Sequence, residues 1–210
     1  MAALATLPSS SSVATTLISP VGCSTDSVRC LPLPPSASSA AGEPGSRQAV
    51  ATLTAPSTPM DEWQRVWARE MRVNFLSAVD LSKLAIQHFR DNGGGRIVNM
   101  ASRAGQRGYS SGAMAYGASK AALINLTKSI AQSHGHEGIT SLALAPGWVR
   151  TEMAEAYIAR HGEAAALAGI PIGAMAQPSE IGEITAFVFR PSQVSLNGAV
   201  LDVNGGSYLR

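Results

Sequence analysis

The chain has 210 residues, of which 45% are hydrophobic, 14% charged and 5% aromatic, and its formal net charge is +2. So small a charge excludes capture of nucleic acid or an anionic membrane by bulk electrostatics. Two cysteines, Cys23 and Cys30, are too few for a disulfide scaffold and lack structural zinc spacing, so no metal is expected. No apolar run reaches the roughly 18 residues that a spanning helix needs. The longest candidate, 164–176, is broken by Gly169, Pro171 and Gly173. The expectation is a cytoplasmic globular protein with no nucleic-acid or membrane partner.

Residues 1–57 are Ser, Ala, Thr and Pro with scattered Leu and Val, and the first aromatic residue is Trp63. The only acids of this stretch are Asp26 and Glu43, and its only bases are Arg29 and Arg47. Ordering a residue costs about 1–2 kcal/mol of backbone entropy, and the large side chains whose burial offsets that cost are missing here. Pro32, Pro34 and Pro35 further disfavour a helix or a central strand. A disordered low-complexity tail is predicted over 1–57. Its Ser-rich, acid-poor character also fits an organelle transit peptide, although two Arg are a thin basic complement. That alternative would move the protein from the cytoplasm to an organelle.

Residues 58–210 alternate helical and strand patterns. Pro59-Met60-Asp61-Glu62 opens a helix with Asp61 as N-cap, its acids suiting the positive end of the dipole. Helical spacing then runs through Trp63, Trp67, Met71, Asn74, Ala78, Leu81, Ala85 and His88 until Asn92-Gly93 stops it. A buried amide without a partner costs about 1–3 kcal/mol, so Asn74 inside this stripe must be hydrogen-bonded to something specific. The bland alternative is an Asn bridging a helix backbone. His88 reads as a helix-end residue.

Gly93-Gly94-Gly95 closes a helix and precedes a strand at 96–102, whereas a dinucleotide loop follows a strand and opens a helix. Asn204-Gly205-Gly206-Ser207 fails the same test, so neither is a phosphate cradle. Ser102 ends the strand, at the carboxyl side where open parallel sheets bind ligands. A loop Ser is also a common local partner of the backbone.

Tyr116 and Lys120 lie one turn apart on one face of a helix that runs to about His134. A free phenol, with a pKa of about 10, is a poor acid–base group near neutral pH. An ammonium fixed about 4 Å away interacts by about 4 kcal/mol at an effective dielectric of about 20. That would lower the phenol by up to about three units, giving a proton donor and acceptor. The same spacing also occurs in ordinary surface pairs.

A strand at 138–145 runs into Pro146-Gly147-Trp148-Val149-Arg150-Thr151, where exposed backbone groups and the Thr151 hydroxyl can grip a planar amide, or simply turn the chain. A flexible segment at 154–176, a helix opened by Pro178-Ser179-Glu180 and a strand at 198–203 follow. Strands alternating with helices predict an α/β fold with a parallel sheet.

Asn74, the run Ile97-Val98-Asn99-Met100-Ala101-Ser102, Tyr116-x-x-x-Lys120, Pro146-Gly147-x-Val149-x-Thr151 and Gly198…Asp202-x-Asn204-Gly205-Gly206 occur in order. Together they resemble the C-terminal, catalytic part of a short-chain dehydrogenase/reductase. The resemblance covers 58–210 and implies a partial Rossmann-like sheet with flanking helices. It also implies NAD(P)-dependent hydride transfer to or from a small-molecule carbonyl or secondary alcohol. By it, Tyr116 is the general acid/base and Lys120 holds the nicotinamide ribose and lowers the Tyr116 pKa. Ser102 orients the substrate oxygen and Asn74 holds a relay water. Pro146, Gly147, Val149 and Thr151 line the carboxamide site, and 154–176 forms the substrate loop, weakly polar enough for a small or aliphatic substrate.

The family's opening strand, its glycine-rich turn and its Asn-Asn-Ala-Gly motif have no counterpart in 1–60, so a truncated chain is expected. The strand around Val98 would then keep an uncovered, association-prone edge. The choice between NAD and NADP is normally set in the absent part. The resemblance further implies a homo-oligomer built through the helices at 61–90 and 116–134. The alternative function is a catalytically silent fragment or oligomerisation subunit.

Overall fold

The computed structural model describes residues 3–4, 16–20, 58–109 and 111–210. Its centre is a five-stranded sheet in sequential order, β1 (Ala3–Leu4), β2 (Thr16–Pro20), β3 (Gly95–Met100), β4 (Ile139–Pro146) and β5 (Val200–Val203). β3, β4 and β5 are parallel, whereas β2 runs antiparallel to β3 and β1 antiparallel to β2. Every residue of β4 is buried. A strand covered on both faces needs no polar alternation, which is why Ile139–Pro146 reads as a nearly continuous apolar run.

Two helical layers cover the sheet. α1 (Met60–Met71), a π-helical turn (Arg72–Leu76) and α2 (Ser77–Asp91) precede β3, and α3 (Met114–His134) lies between β3 and β4. On this face Ile97 and Ile139 pack with Ala85 and Phe89 of α2 and Ile130 of α3. On the other face Leu17, Val98, Leu142 and Leu144 pack with Val188 of α6 (Pro178–Val188). Gly95 is required where it stands, because a Cβ there would lie 2.3 Å from the buried Phe89 ring.

β2 falls inside the stretch for which the sequence predicts no element. Thr16–Pro20 pairs with Gly95–Asn99 along the edge that the sequence analysis leaves uncovered. Thr16-Leu17-Ile18 supplies β-branched residues in the required alternation. Leu17 enters the α6 side of the core, and Thr16 points to the opposite face. There the Thr16 hydroxyl donates to Asn99 Oδ1 at 2.9 Å, Asn99 Nδ2 donates to Thr127 Oγ1 at 3.0 Å, and Thr127 donates to Leu123 O at 2.8 Å. This buried polar chain ties β2, β3 and α3 together. Apart from β1 and β2, residues 1–57 of the predicted tail or transit peptide, Cys23 and Cys30 among them, lie outside the described residues.

Three local expectations change. The first helix starts at Met60 with Pro59 as its cap, and Asp61 pairs instead with Arg65 at 3.1 Å on the surface. The helix runs from Met60 to Asp91 and stops at Asn92-Gly93 as expected, but a π turn is inserted at 72–76. The segment predicted to be flexible holds α4 (Glu152–His161) and α5 (Glu163–Leu167), joined at Gly162 with φ +82°. Their Ala, Glu, Met and Arg are strong helix formers, and Ala154, Ala166, Ile170 and Met175 make a small core of their own. Among the described residues no helix is long and apolar enough to cross a membrane.

Candidate active site

Because β3, β4 and β5 are parallel, their carboxyl ends share one edge of the sheet. The loop after β3 presents Ser102, and the loop after β4 presents 147–151. Ser102 caps a short 3₁₀ turn (Arg103–Gly105), its Oγ accepting from the Ala104 N–H at 3.1 Å. That turn presses against the start of α3. A Cβ on Gly105 would stand 2.6–2.9 Å from the backbone of Lys120 and Ala121, so only glycine permits the approach. The approach brings the Ser102 hydroxyl close enough to act on the Tyr116 phenol.

Tyr116 and Lys120 occupy the first two turns of α3 on one face. Lys120 Nζ lies 5.8 Å from the centre of the Tyr116 ring and donates to Met100 O, at the end of β3, at 2.8 Å. Burial lowers the Lys120 amine to about 8, against an opposing pull from the Glu70 carboxylate. Burial also raises the Tyr116 phenol above the usual tyrosine range. The Ser102 hydrogen bond pulls it back, and the charges of Tyr109 and Glu70 push it further up. The expectation of a phenol lowered by Lys120 is therefore reversed in sign. Both groups lie on the buried start of α3, and there desolvation outweighs the pull of a nearby charge.

Asn74 has the specific partner that its burial demands. It sits in the π turn, which packs on α3, and its Nδ2 donates to Glu70 Oε2 at 2.7 Å. π turns inserted in α-helices recur at functional sites. Glu70 itself carries no signal in the sequence, where it reads as one more acid on a helix surface. Tyr109, which acts electrostatically on Tyr116, and Arg103, buried directly after Ser102, were likewise not singled out.

Pro146 ends β4, and the Gly147 N–H donates to Val203 O at 2.9 Å. Gly147 is another obligatory glycine, since a Cβ would lie 2.9 Å from Asn204 Cα. Val149 bridges to Ala176 through its neighbours. The Arg150 N–H donates to Ala176 O at 2.9 Å and the Ala176 N–H to Trp148 O at 3.1 Å. The N–H and C=O of Val149 make no backbone bond in that bridge. One donor and one acceptor in adjacent positions fit a carboxamide. Thr151 caps α4 with its hydroxyl unengaged by the helix. Among the described residues no hydrogen bond links this corner to Tyr116 or Lys120, and no cluster of three His, Cys, Asp or Glu is arranged to hold a metal.

A family model described as enoyl-(acyl carrier protein) reductase matches residues 48–208. A 3-oxoacyl-[acyl-carrier-protein] reductase of Vibrio cholerae is 33% identical over 159 residues, covering 76% of this chain and 64% of the relative. An acetoacetyl-CoA reductase of Rhizobium meliloti is 32% identical over 142 residues, covering 68% and 58%. A crystal structure of an actinorhodin polyketide ketoreductase variant with NADPH superposes with a TM-score of 0.63 at 30% identity, covering 68% of this chain and 59% of that one. The chain thus spans about three fifths of the length of the curated relatives it matches. The match spans the positions of Asn74, Ser102, Tyr116, Lys120 and the corner at 146–151, and within the sheet β3, β4 and β5 are parallel as expected, whereas β1 and β2 are antiparallel. The chain belongs to the short-chain dehydrogenase/reductase family.

Proposed function

We propose that this chain carries the catalytic half of an NAD(P)-dependent oxidoreductase that interconverts a small-molecule carbonyl and a secondary alcohol. A single arrangement carries the reading: Lys120 over the Tyr116 ring and anchored to Met100 O, with Ser102 acting on the same phenol, at the carboxyl edge of the sheet. The nicotinamide, when bound, supplies or accepts the hydride. Val149 N–H and C=O, the Thr151 hydroxyl, Pro146 and Gly147 would hold its carboxamide, and Lys120 would hold its ribose.

Ser102 donates to the substrate oxygen and fixes its position. As the carbonyl carbon gains hydride, its oxygen takes the proton from Tyr116 Oη, and the alcohol leaves. In the reverse direction Tyr116 removes that proton. After reduction, the Tyr116 phenolate left behind regains its proton from solvent water, passed inward through Lys120 and a water held by Asn74.

Calorimetric titration with NADPH and NADH, beside turnover of Tyr116→Phe, tests this. The expected results are saturable binding and an activity lower by about 10²–10⁴-fold in the variant. Absence of binding at millimolar cofactor overturns the reading for this chain. A second reading, a silent subunit that pairs with a second copy or a longer relative, is favoured by one feature. Val79, Ile86 and Leu126 line a shallow apolar groove between α2 and α3, on the helices at 61–90 and 116–134.

A further inference from the structure

The motif residues leave one charged group of the site unassigned. Glu70, half-buried in the last turn of α1, lies four residues before Asn74 and across the start of the π turn. In that turn the Ser77 N–H reaches back five residues to Arg72 O. Its carboxylate accepts from Asn74 Nδ2 at 2.7 Å. An amide has two chemically different ends, and binding one of them decides where the other points. With Nδ2 committed to Glu70, Oδ1 is the end left to accept a proton donor. Asn74 Oδ1 makes no hydrogen bond within the described residues.

We propose that Glu70 is a positioning residue of this site, fixing the Asn74 amide with Oδ1 free to accept and supplying a carboxylate charge to the Lys120–Tyr116 pair. This role rests on the reading of Tyr116 and Lys120 as the reacting pair. The groups that face the pair are Glu70 from α1, Tyr109 from the loop after β3 and the Ser102 hydroxyl; from α3 come Tyr116 and Lys120 themselves. Glu70 opposes the burial of Lys120 and so keeps its ammonium charged to higher pH. It also disfavours the Tyr116 phenolate and so keeps the phenol protonated. Both effects hold the pair in the donor form.

The signs make the proposal testable without turnover. Removing a negative charge lowers both pKa values, whereas a change in burial moves a lysine and a tyrosine in opposite directions. NMR titration of the full chain, with ¹³C-labelled Lys and Tyr assigned by Lys120→Met and Tyr116→Phe, reads both groups. Glu70→Gln is expected to shift Lys120 further below about 8 and to shift Tyr116 down as well. It retains an oxygen for Asn74, so the side-chain amide stays protected from exchange. Glu70→Leu is expected to give the same two shifts and to lose that protection. Shifts of opposite sign, no shift in either group, or equal amide protection in both variants would overturn the proposal. If cofactor fails to bind while both groups shift down, the proposed function falls and the electrostatic role of Glu70 stands.

Discussion

The two neighbours of β3 are built on different plans. On one side β4 runs parallel over six register pairs, buried on both faces and covered by α3 and α6. On the other, β2 runs antiparallel over five pairs, and within it only Thr16 and Leu17 are deeply buried. The β4 side carries the site, since Ser102, Lys120 through Met100 O, and the corner after Pro146 all hang on β3, α3 and β4. The β2 side closes the hydrogen-bonding edge and ties to α3 through Asn99 and Thr127. Stability and site geometry are thus concentrated on one flank, and the other flank is an attachment.

The largest expected loss is on the β4 flank. Leu142 is fully buried between Leu17, Val98 and Val188. Leu142→Ala removes about 2–5 kcal/mol through lost burial and the cavity left behind. Chemical denaturation reads it as a lower midpoint, and a loss no greater than that of an edge variant would break the comparison.

Next comes the polar chain that joins the flanks. Thr16→Val keeps the shape of the side chain but leaves Asn99 Oδ1 buried without its donor. The expected cost is about 1–3 kcal/mol. Hydrogen exchange sharpens the reading: the amides of β2 are expected to open well before those of β4. Equal protection of both strands would mean that β2 is an integral part of the core.

These flanks differ in how far the sequence reveals them. Tyr116 and Lys120 are legible because helical spacing fixes their shared face, and Ser102 because it ends a strand at the carboxyl side where open parallel sheets bind ligands. The obligatory glycines 105 and 147 are visible as glycines, but their reason, the backbone of Lys120 or Asn204 pressed against them, exists only in three dimensions. β2 is hidden because the short run Thr16-Leu17-Ile18 in a Ser/Thr/Pro background carries no signal until an edge about 80 residues away selects it. Glu70 is hidden for a related reason. Its link to Asn74 is ordinary helical spacing, but its nearness to Tyr116 and Lys120 depends on the packing of α1 and the π turn on α3. The sign of the Tyr116 shift was missed because spacing gives the partner of a charge and not its desolvation.

The smallest effect gives the cleanest contrast, because Ile18 and Ile97 are register partners on the two strands and share one face. Ile97 is fully buried in the cluster with Phe89 and Ile139, while Ile18 is half-buried and packs at its margin. The same chemical change, one methylene removed, therefore tests the two environments directly. Ile97→Val is expected to cost about 0.5–1.5 kcal/mol. Ile18→Val is expected to fall at or below the bottom of that range, because the atoms removed have fewer neighbours and solvent fills the space. The double variant adds a second term. Partners in contact couple when each relies on the other for packing, so a double loss smaller than the sum of the singles would show Ile18 resting on Ile97. Additive losses with Ile18→Val as costly as Ile97→Val would instead make the edge strand equal to the centre, and the division of β3 into a structural flank and an attached one would fail.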